Sequence, residues 1–453
     1  MTPPLRPTPS PCVALFLVLA GFGAAPAHPG AAQASADPDR PPDATAADTL
    51  AGLWDSPTPR TTIVEVDGYD VRIRTAAPHP DRIPGRPLVV LEAGFGSTVE
   101  GWGDFVEEVA GLAPLVAYDR AGIGASEWDE SDATFEHVTG RLRRLLEEIG
   151  AEPPFVLVGH SFGGDLVRYF ARFHPGETVG LVLLDPVTNS PADFGSALEE
   201  IGAARERMLE IYDGELGEDV PPGVRAESEL VGAYFREGRE FDLPRPTDIP
   251  VSILFAGLDA PPDGDEVYGF DVSAHITAWE RRKIARLGEW IMQVPLGEMI
   301  LVPSSGHFVH LDEPELALEA VRRVLFPAIP RVLLQELDAR GPDAAVARYH
   351  EIEAWYPPDR FHEDVLNDFG YRLLRAERPE DAIPFFLLNR EEYPDALNPW
   401  DSLADGYRAA GRSDLEEETR ARLLELAEER RDPRAGVYRE RLARVRAERA
   451  GGG

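Results

Sequence analysis

Between Pro87 and Phe308 the chain passes repeatedly through runs of consecutive aliphatic residues that stop on Gly, Asp, Ser or His. The runs are "PLVVLEAGFGS", "PLVAYDRAGIGASE", "FVLVGHS", "VGLVLLDP", "IPVSILFAGLD" and "EMILVPSSGHF". A strand with one wet face alternates apolar and polar residues, whereas a strand that is apolar throughout needs cover on both faces. The stretches between the runs supply that cover: "HVTGRLRRLLEEIG", for example, carries aliphatic residues at helical spacing and stops at Gly150. Strands that alternate with helices argue an α/β fold with a mostly parallel sheet and crossover helices. Ahead of them, "TTIVEVDGYDVRIRT" has alternating apolar residues and breaks at Asp67-Gly68, which predicts a hairpin.

Where "FVLVGHS" meets "GGDLVRYFARFHP", the residues Gly159-His160-Ser161-Phe162-Gly163 fit G-x-S-x-G. Such a pentapeptide means little by itself. Between a buried strand and a helix it is a tight turn that lifts a serine hydroxyl from the sheet end and aims the helix N-terminus at developing negative charge. The surrounding glycines permit the turn and close helix packing.

A serine hydroxyl is a weak nucleophile and needs a base and a carboxylate that orients the base. His307, after the run "MILVP" and before a helix starting near Glu313-Pro314, is placed to be the base. His310 reads as structural, and His160 as packing or hydrogen bonding beneath the site. Asp259, after "VSILFAGL", is the preferred acid, with Asp263 and Asp265 close behind on the same loop. The alternative acid is Asp185 after "GLVLL", which also reads as a strand-end aspartate organising a turn. Oxyanion donors are expected from the backbone N–H groups of Phe162 and Phe95, with Gly94 and Gly96 allowing close approach.

From about Thr61 to Phe326 the chain resembles the α/β-hydrolase superfamily, through "EAGFGS", "YDRAGIGASE", "GHSFGG", "FAGLD" and "SSGHFVHLDEP" in that order. The resemblance implies the α/β-hydrolase fold, a serine nucleophile at Ser161, histidine at His307, an acid at Asp259 and an oxyanion hole at Phe95 and Phe162. "YDRAGIGAS" resembles the superfamily's structural loop and is given no catalytic role. Two departures stand out: Ala93-Gly94 replaces a common His-Gly, and Asp259 follows Gly257 by one residue fewer than usual. The helical insertion at about 187–248 resembles a cap, whose Phe194, Leu198, Met208, Tyr234 and Phe235 either line a pocket or form the cap's own core.

After Phe326 the text turns all-helical. "LNDFGYRLLRAERPEDAIPFFLLNREEYPDA" resembles a tetratricopeptide repeat through Phe369-Gly370, Leu373, Ala382, Phe386 and Pro394. A following unit keeps Trp400, Leu403, Ala404 and Tyr407 but has Glu416 where a small residue belongs, which reads as a polar terminal cap; an earlier unit keeps Ala345, Tyr349 and Pro357. Such an array binds a protein or peptide partner or docks on its own enzyme.

At the N-terminus, Arg6, the apolar run Val13 to Phe22 and Ala25-Pro26-Ala27 have the layout of a secretory signal cleaved after Ala27, with an uncleaved anchor as the alternative. Residues 28–58, rich in Ala, Pro and Asp, read as a linker. The expected organisation is therefore signal 1–27, linker 28–58, hydrolase domain 59–328 and helical repeats 329–447, in an exported protein. Cys12 is the sole cysteine, so the exported chain would carry no disulfide. A formal charge of -35 repels phosphate backbones and disfavours nucleic-acid or anionic-lipid partners. With no metal-ligand cluster and neither G-x-x-x-x-G-K nor G-x-G-x-x-G, no cofactor is expected. The expected function is a secreted serine hydrolase, a carboxylic-ester hydrolase first of all, that cleaves an ester or related acyl bond of a small-molecule substrate through an acyl-enzyme. Amidase, peptidase and thioesterase chemistry share that fold, and a silent binding protein built on the repeats is the rival from another class.

Overall fold

A computed structural model describes residues 52–77, 86–130, 134–187, 191–202, 220–237, 249–257 and 271–451. The chain divides into two units, with the boundary between Leu325 and Phe326.

The first unit is built on a single eight-stranded sheet in the order β1-β2-β4-β3-β5-β6-β7-β8. The strands are β1 Arg60–Val66, β2 Tyr69–Ala76, β3 Leu88–Glu92, β4 Leu115–Tyr118, β5 Phe155–His160, β6 Thr178–Leu184, β7 Val251–Ala256 and β8 Gly297–Val302. The hairpin predicted at Asp67-Gly68 joins β1 to β2, and both turn residues have the positive φ that a two-residue turn requires (54° and 86°). β2 runs antiparallel to β4; from β4 onward all pairings are parallel. Every residue of β3, β4, β5 and β7 is buried, as their unbroken apolar runs demand.

The period of two along each strand sorts its residues between two cores. Leu88, Val90, Val116, Phe155, Leu157, Leu181, Leu183, Ile253 and Phe255 face one core. There they meet Leu142, Leu145 and Leu146 of α2 (Phe135–Glu148), Val167 and Phe170 of α3 (Phe162–Phe173), and Leu287 and Ile291 of α6 (Val272–Ile291). The alternate residues face α1 (Phe105–Ala110) and α8 (Pro314–Leu325), whose Val324 comes within 2.2 Å of where a Cβ on Gly180 would sit. Thr134 caps α2, its hydroxyl accepting from His137 N at 3.1 Å.

Of the insertion expected to form a cap, the described parts are α4 (Pro191–Glu200) and α5 (Pro222–Glu237). Leu198 is fully buried; the side chains of Phe194, Met208, Tyr234 and Phe235 lie outside the described residues. The N-terminus of α5 seats on the loop after β4, where Gly223 N donates to Gly122 O at 3.2 Å. A Cβ on Gly223 would meet Ala121 O at 2.1 Å, so only glycine allows that approach.

Two expected boundaries move. Residues 52–58 are not linker: Leu53 joins the sheet core, Trp54 Nε1 donates to Ile149 O, and Thr75 Oγ1 donates to Leu53 O. Phe326 belongs with the helices, its ring against Trp355 and Tyr356 and its carbonyl accepting from Arg360. The expected signal and the rest of the linker lie outside the described residues.

The second unit pairs α9 (Ile329–Arg340) with α10 (Pro342–Glu353), α11 (Glu363–Arg375) with α12 (Pro379–Glu392) and α13 (Asn398–Ala409) with α14 (Ser413–Glu429), before α15 (Ala435–Gly451). Phe386 explains two of the small positions: its ring would clash with a Cβ on Gly370 at 2.4 Å and on Gly406 at 2.9 Å. Glu416 is not an outward polar cap but is buried, hydrogen-bonded to Arg420 Nε at 2.9 Å. Arg420 also holds Asp401 at 3.1 Å and Asp405 at 2.7 Å, so a charged network stands where the repeat pattern has small and aromatic residues. Among the described residues no helix is long and apolar enough to cross a membrane.

Candidate active site

Ser161 directly follows β5 and caps α3 with φ 53° and ψ −120°, a conformation that costs a non-glycine residue about 1–3 kcal/mol. Neighbouring backbone holds it there: Ser161 N donates to Leu184 O at 3.0 Å, and Ser161 O accepts from Gly164 N at 2.9 Å. The turn survives only because its flanks are bare. A Cβ on Gly163 would lie 2.1 Å from Glu92 O, and one on Gly159 would lie 2.5 Å from Gly163 O. Among the described residues nothing hydrogen-bonds the buried Ser161 hydroxyl.

His307 stands on the loop between β8 and the short helix α7 (Val309–Asp312). That loop is anchored at both ends: Ser305 O accepts from Gly257 N at 3.1 Å, and Asp312 accepts from Gly306 N at 2.9 Å. His307 Nδ1 meets Asp185 Oδ2 at 2.6 Å, with both side chains buried. Asp185 directly follows β6 with φ 41°, its N–H donating to Leu254 O and its Oδ1 accepting from Ala256 N at 3.3 Å. Burial alone would raise the Asp185 carboxyl. The Lys283 ammonium and the His307 hydrogen bond outweigh it and hold the group below the usual carboxylate range.

The carboxylate that meets His307 among the described residues is Asp185, the alternative acid of the sequence reading. Asp259, with Asp263 and Asp265, lies outside the described residues, whereas Asp185, the alternative, occupies the one hydrogen-bonding direction of His307 Nδ1. The reading of Asp185 as a mere turn former captured only its contact with the Ala256 amide.

The neighbouring histidines serve the frame. His160 Nε2 donates to His307 O at 3.0 Å and fixes the backbone of His307. His310 Nε2 donates to Gly101 O at 3.0 Å, and its ring packs on Trp102. Burial drives both below the ordinary histidine value, His160 far below and His310 to about 4, so both are neutral at pH 7.

The two expected oxyanion donors flank the serine. Phe162 opens α3, and Phe95 follows Gly94, on which a Cβ would lie 3.4 Å from Ser161 Cβ. The rings of Phe95 and Phe162 meet edge to face at 6.4 Å. Among the described residues the one cluster with metal-ligand spacing is His350, Glu353 and Glu392, two of them exposed, in the helical unit and not in this site.

Residues 88–321 match the model of the alpha/beta hydrolase family. The chain is 38% identical over 170 residues to lipase LipV of Mycobacterium tuberculosis, covering 37% of this chain and 56% of that protein. It is 32% identical over 121 residues to the uncharacterized protein YqjL of Bacillus subtilis, covering 27% of this chain and 48% of that one. The chain thus spans about half the length of these curated relatives. Among solved structures, naproxen esterase of Bacillus subtilis is similar over 61% of this chain and 95% of that one, at 16% identity and a TM-score of 0.37.

Proposed function

The chain belongs to the alpha/beta hydrolase family, and we propose that it cleaves a carboxylic ester or related acyl bond through an acyl-enzyme. Ser161 is the nucleophile, His307 the base and Asp185 the orienting acid. The observation that carries this reading is the 2.6 Å contact of His307 Nδ1 with a buried Asp185, beside a strained serine at a strand-to-helix turn. With Nδ1–H donated to the carboxylate, the other ring nitrogen is the basic one and takes the proton of Ser161 as its oxygen attacks the acyl carbon. The proton then passes to the leaving group, and water repeats the cycle on the acyl-enzyme. Negative charge developing on the acyl oxygen falls to the N–H groups of Phe95 and Phe162 and to the N-terminus of α3. The name of the mycobacterial relative, a lipase, supports ester chemistry.

The test is fluorophosphonate labelling of the full chain with peptide mass spectrometry, followed by p-nitrophenyl esters from acetate to laurate. The adduct is expected on Ser161, and Ser161→Ala should abolish both labelling and turnover. A folded protein that hydrolyses esters without a Ser161 adduct overturns the assignment. Export belongs to the same proposal: expressed with its own N-terminus, the mature chain should begin at His28, and an intact Met1 on a membrane-bound product refutes it. The helical repeats are proposed to receive a peptide or protein partner.

A further inference from the structure

A buried ion pair ties the cap to the loop that carries Phe95, and the hydrolytic reading leaves it without a role. Arg120, after β4, is almost wholly buried, and its guanidinium spends its donors on specific acceptors. Nη2 donates to Gly94 O at 2.6 Å, Nη1 donates to Ala93 O and to Glu92 Oε1 at 2.7 Å each, and Nε donates to Glu227 Oε1 at 2.5 Å. Glu227 belongs to the cap helix α5 and is itself buried; its second oxygen accepts from Gly96 N at 2.8 Å. Glu92 in turn accepts from the Tyr118 hydroxyl.

The geometry of the peptide bond gives these contacts a consequence. The carbonyl of Gly94 and the N–H of Phe95 belong to one planar trans unit, so they point in opposite directions. A charged donor on that oxygen fixes the plane, and with it the direction of the Phe95 N–H, and polarises the amide toward stronger donation. The next unit joins the carbonyl of Phe95 to the N–H of Gly96, and Glu227 holds that one. Both peptide planes flanking Phe95 are therefore clamped by one ion pair, half of it from the core and half from the cap. The cap helix sits close enough for this because Gly122 and Gly223 lack side chains and because Val224 packs on Gly96, 3.3 Å from where its Cβ would be.

We propose that Arg120 and Glu227 are positioning residues that preorganise the Phe95 N–H as an oxyanion donor, so that seating of cap helix α5 completes the oxyanion hole. This rests on the hydrolytic reading above. Burial raises the Glu92 carboxyl, against the opposing pull of Arg120. Arg120 itself is held above its ordinary value, its acidic neighbours outweighing burial. The guanidinium therefore stays charged at any working pH.

The experiment compares full-length wild type with Glu227→Gln and Arg120→Lys, using Glu107→Gln, an exposed acid paired with Arg74, as the charge control. Fluorophosphonate labelling run to completion counts competent serines, and all rates are expressed per labelled site. Glu227→Gln should lower kcat for p-nitrophenyl acetate roughly tenfold with KM little changed, less than the ~10²–10³ of a deleted donor because the amide is displaced and not lost. A trifluoromethyl ketone, whose bound hemiketal oxyanion reports the hole, should lose affinity by the same factor. Arg120→Lys keeps the charge but not the fork, and should show the same split. A role confined to stability would lower the number of labelled sites and leave rate per site and ketone affinity unchanged, which overturns the proposal. If Glu227→Gln does not fold, an unchanged rate per site in Arg120→Lys overturns it equally. Wild type that is not labelled at Ser161 fails the hydrolytic reading, and this proposal falls with it.

Discussion

Replacing Asp185 with Asn tests the proposed site at the contact that carries it, and separates Asp185 from Asp259, the acid preferred from the sequence. The substitution is close to isosteric, so its effect comes from hydrogen-bond polarity. Ala256 N–H donates to Oδ1 of the acid at 3.3 Å, and His307 Nδ1 lies 2.6 Å from Oδ2. An asparagine in the same place keeps its carbonyl toward the Ala256 amide, since the reverse would set two donors against each other. Its NH₂ group then faces His307 and donates to Nδ1. That forces the ring proton onto Nε2, the nitrogen that must accept the serine proton, and removes the negative charge that stabilises the imidazolium. Both effects act on the transition state and not on substrate binding. The expected loss is about 10⁴ in kcat, or about 5 kcal/mol, with KM nearly unchanged. The assay is the p-nitrophenolate release rate per fluorophosphonate-titratable site, with circular dichroism to verify the fold. If Asp185→Asn stays within tenfold of wild type while Asp259→Asn is crippled, the tautomer argument is wrong and the acid lies on the later loop.

Gly163→Ala should cost about 3 kcal/mol or more, because the new methyl would meet backbone oxygens of Glu92 and Ala93 at 2.1 and 2.7 Å and neither can step aside; a thermal midpoint equal to wild type in full-length protein would contradict this. In the helical unit, Arg420→Ala strands buried Glu416 and should destabilise by about 3–5 kcal/mol, whereas Glu416→Ala together with Arg420→Phe should recover most of the loss. Urea unfolding monitored by tryptophan fluorescence would separate the two. Acid should weaken the hydrolase unit between pH 6.5 and about 4. The folded state holds His310 neutral down to about 4 while the unfolded chain protonates it near 6.5, so stability present above 6.5 is lost as pH falls, by about 3 kcal/mol for this residue. His310→Gln should flatten that part of the urea-unfolding profile by about one proton, and an identical slope would count against the assignment.

Much of this architecture was written along the chain. Runs such as "LVVLE" and "FVLVGH" have no polar face to give to water, so they could only become central strands of a sheet covered on both sides, and Asp67-Gly68 could only be a tight hairpin turn. Ser161 was legible for the same local reason: a turn that steep needs the bare flanks of Gly159 and Gly163 on either side of it. Chain order singled out His307 as the proposed base, and its ring meets a buried carboxylate. The limits of that legibility were equally physical. Whether Asp185 or Asp259 faces His307 depends on how β6, β7 and β8 align and on where two loops bend after their strands end, and no local propensity encodes either. Glu416 looked like a surface residue because one position says nothing of the Arg420 that neutralises it or of Asp401 and Asp405 that share that cation. Arg120 and Glu227 are 107 residues apart. In sequence they are two unremarkable charges, and only the docking of cap helix α5 through Gly122 and Gly223 brings them together, where burial makes the pairing strong and its direction specific. Local sequence determined the strands, the hairpin and the strand-to-helix turn that carries Ser161, because those follow from side-chain size, period and backbone freedom. The tertiary structure decided that Asp185 meets His307 and that Arg120 meets Glu227, because a buried charge acquires its partner only when the chain has closed around it.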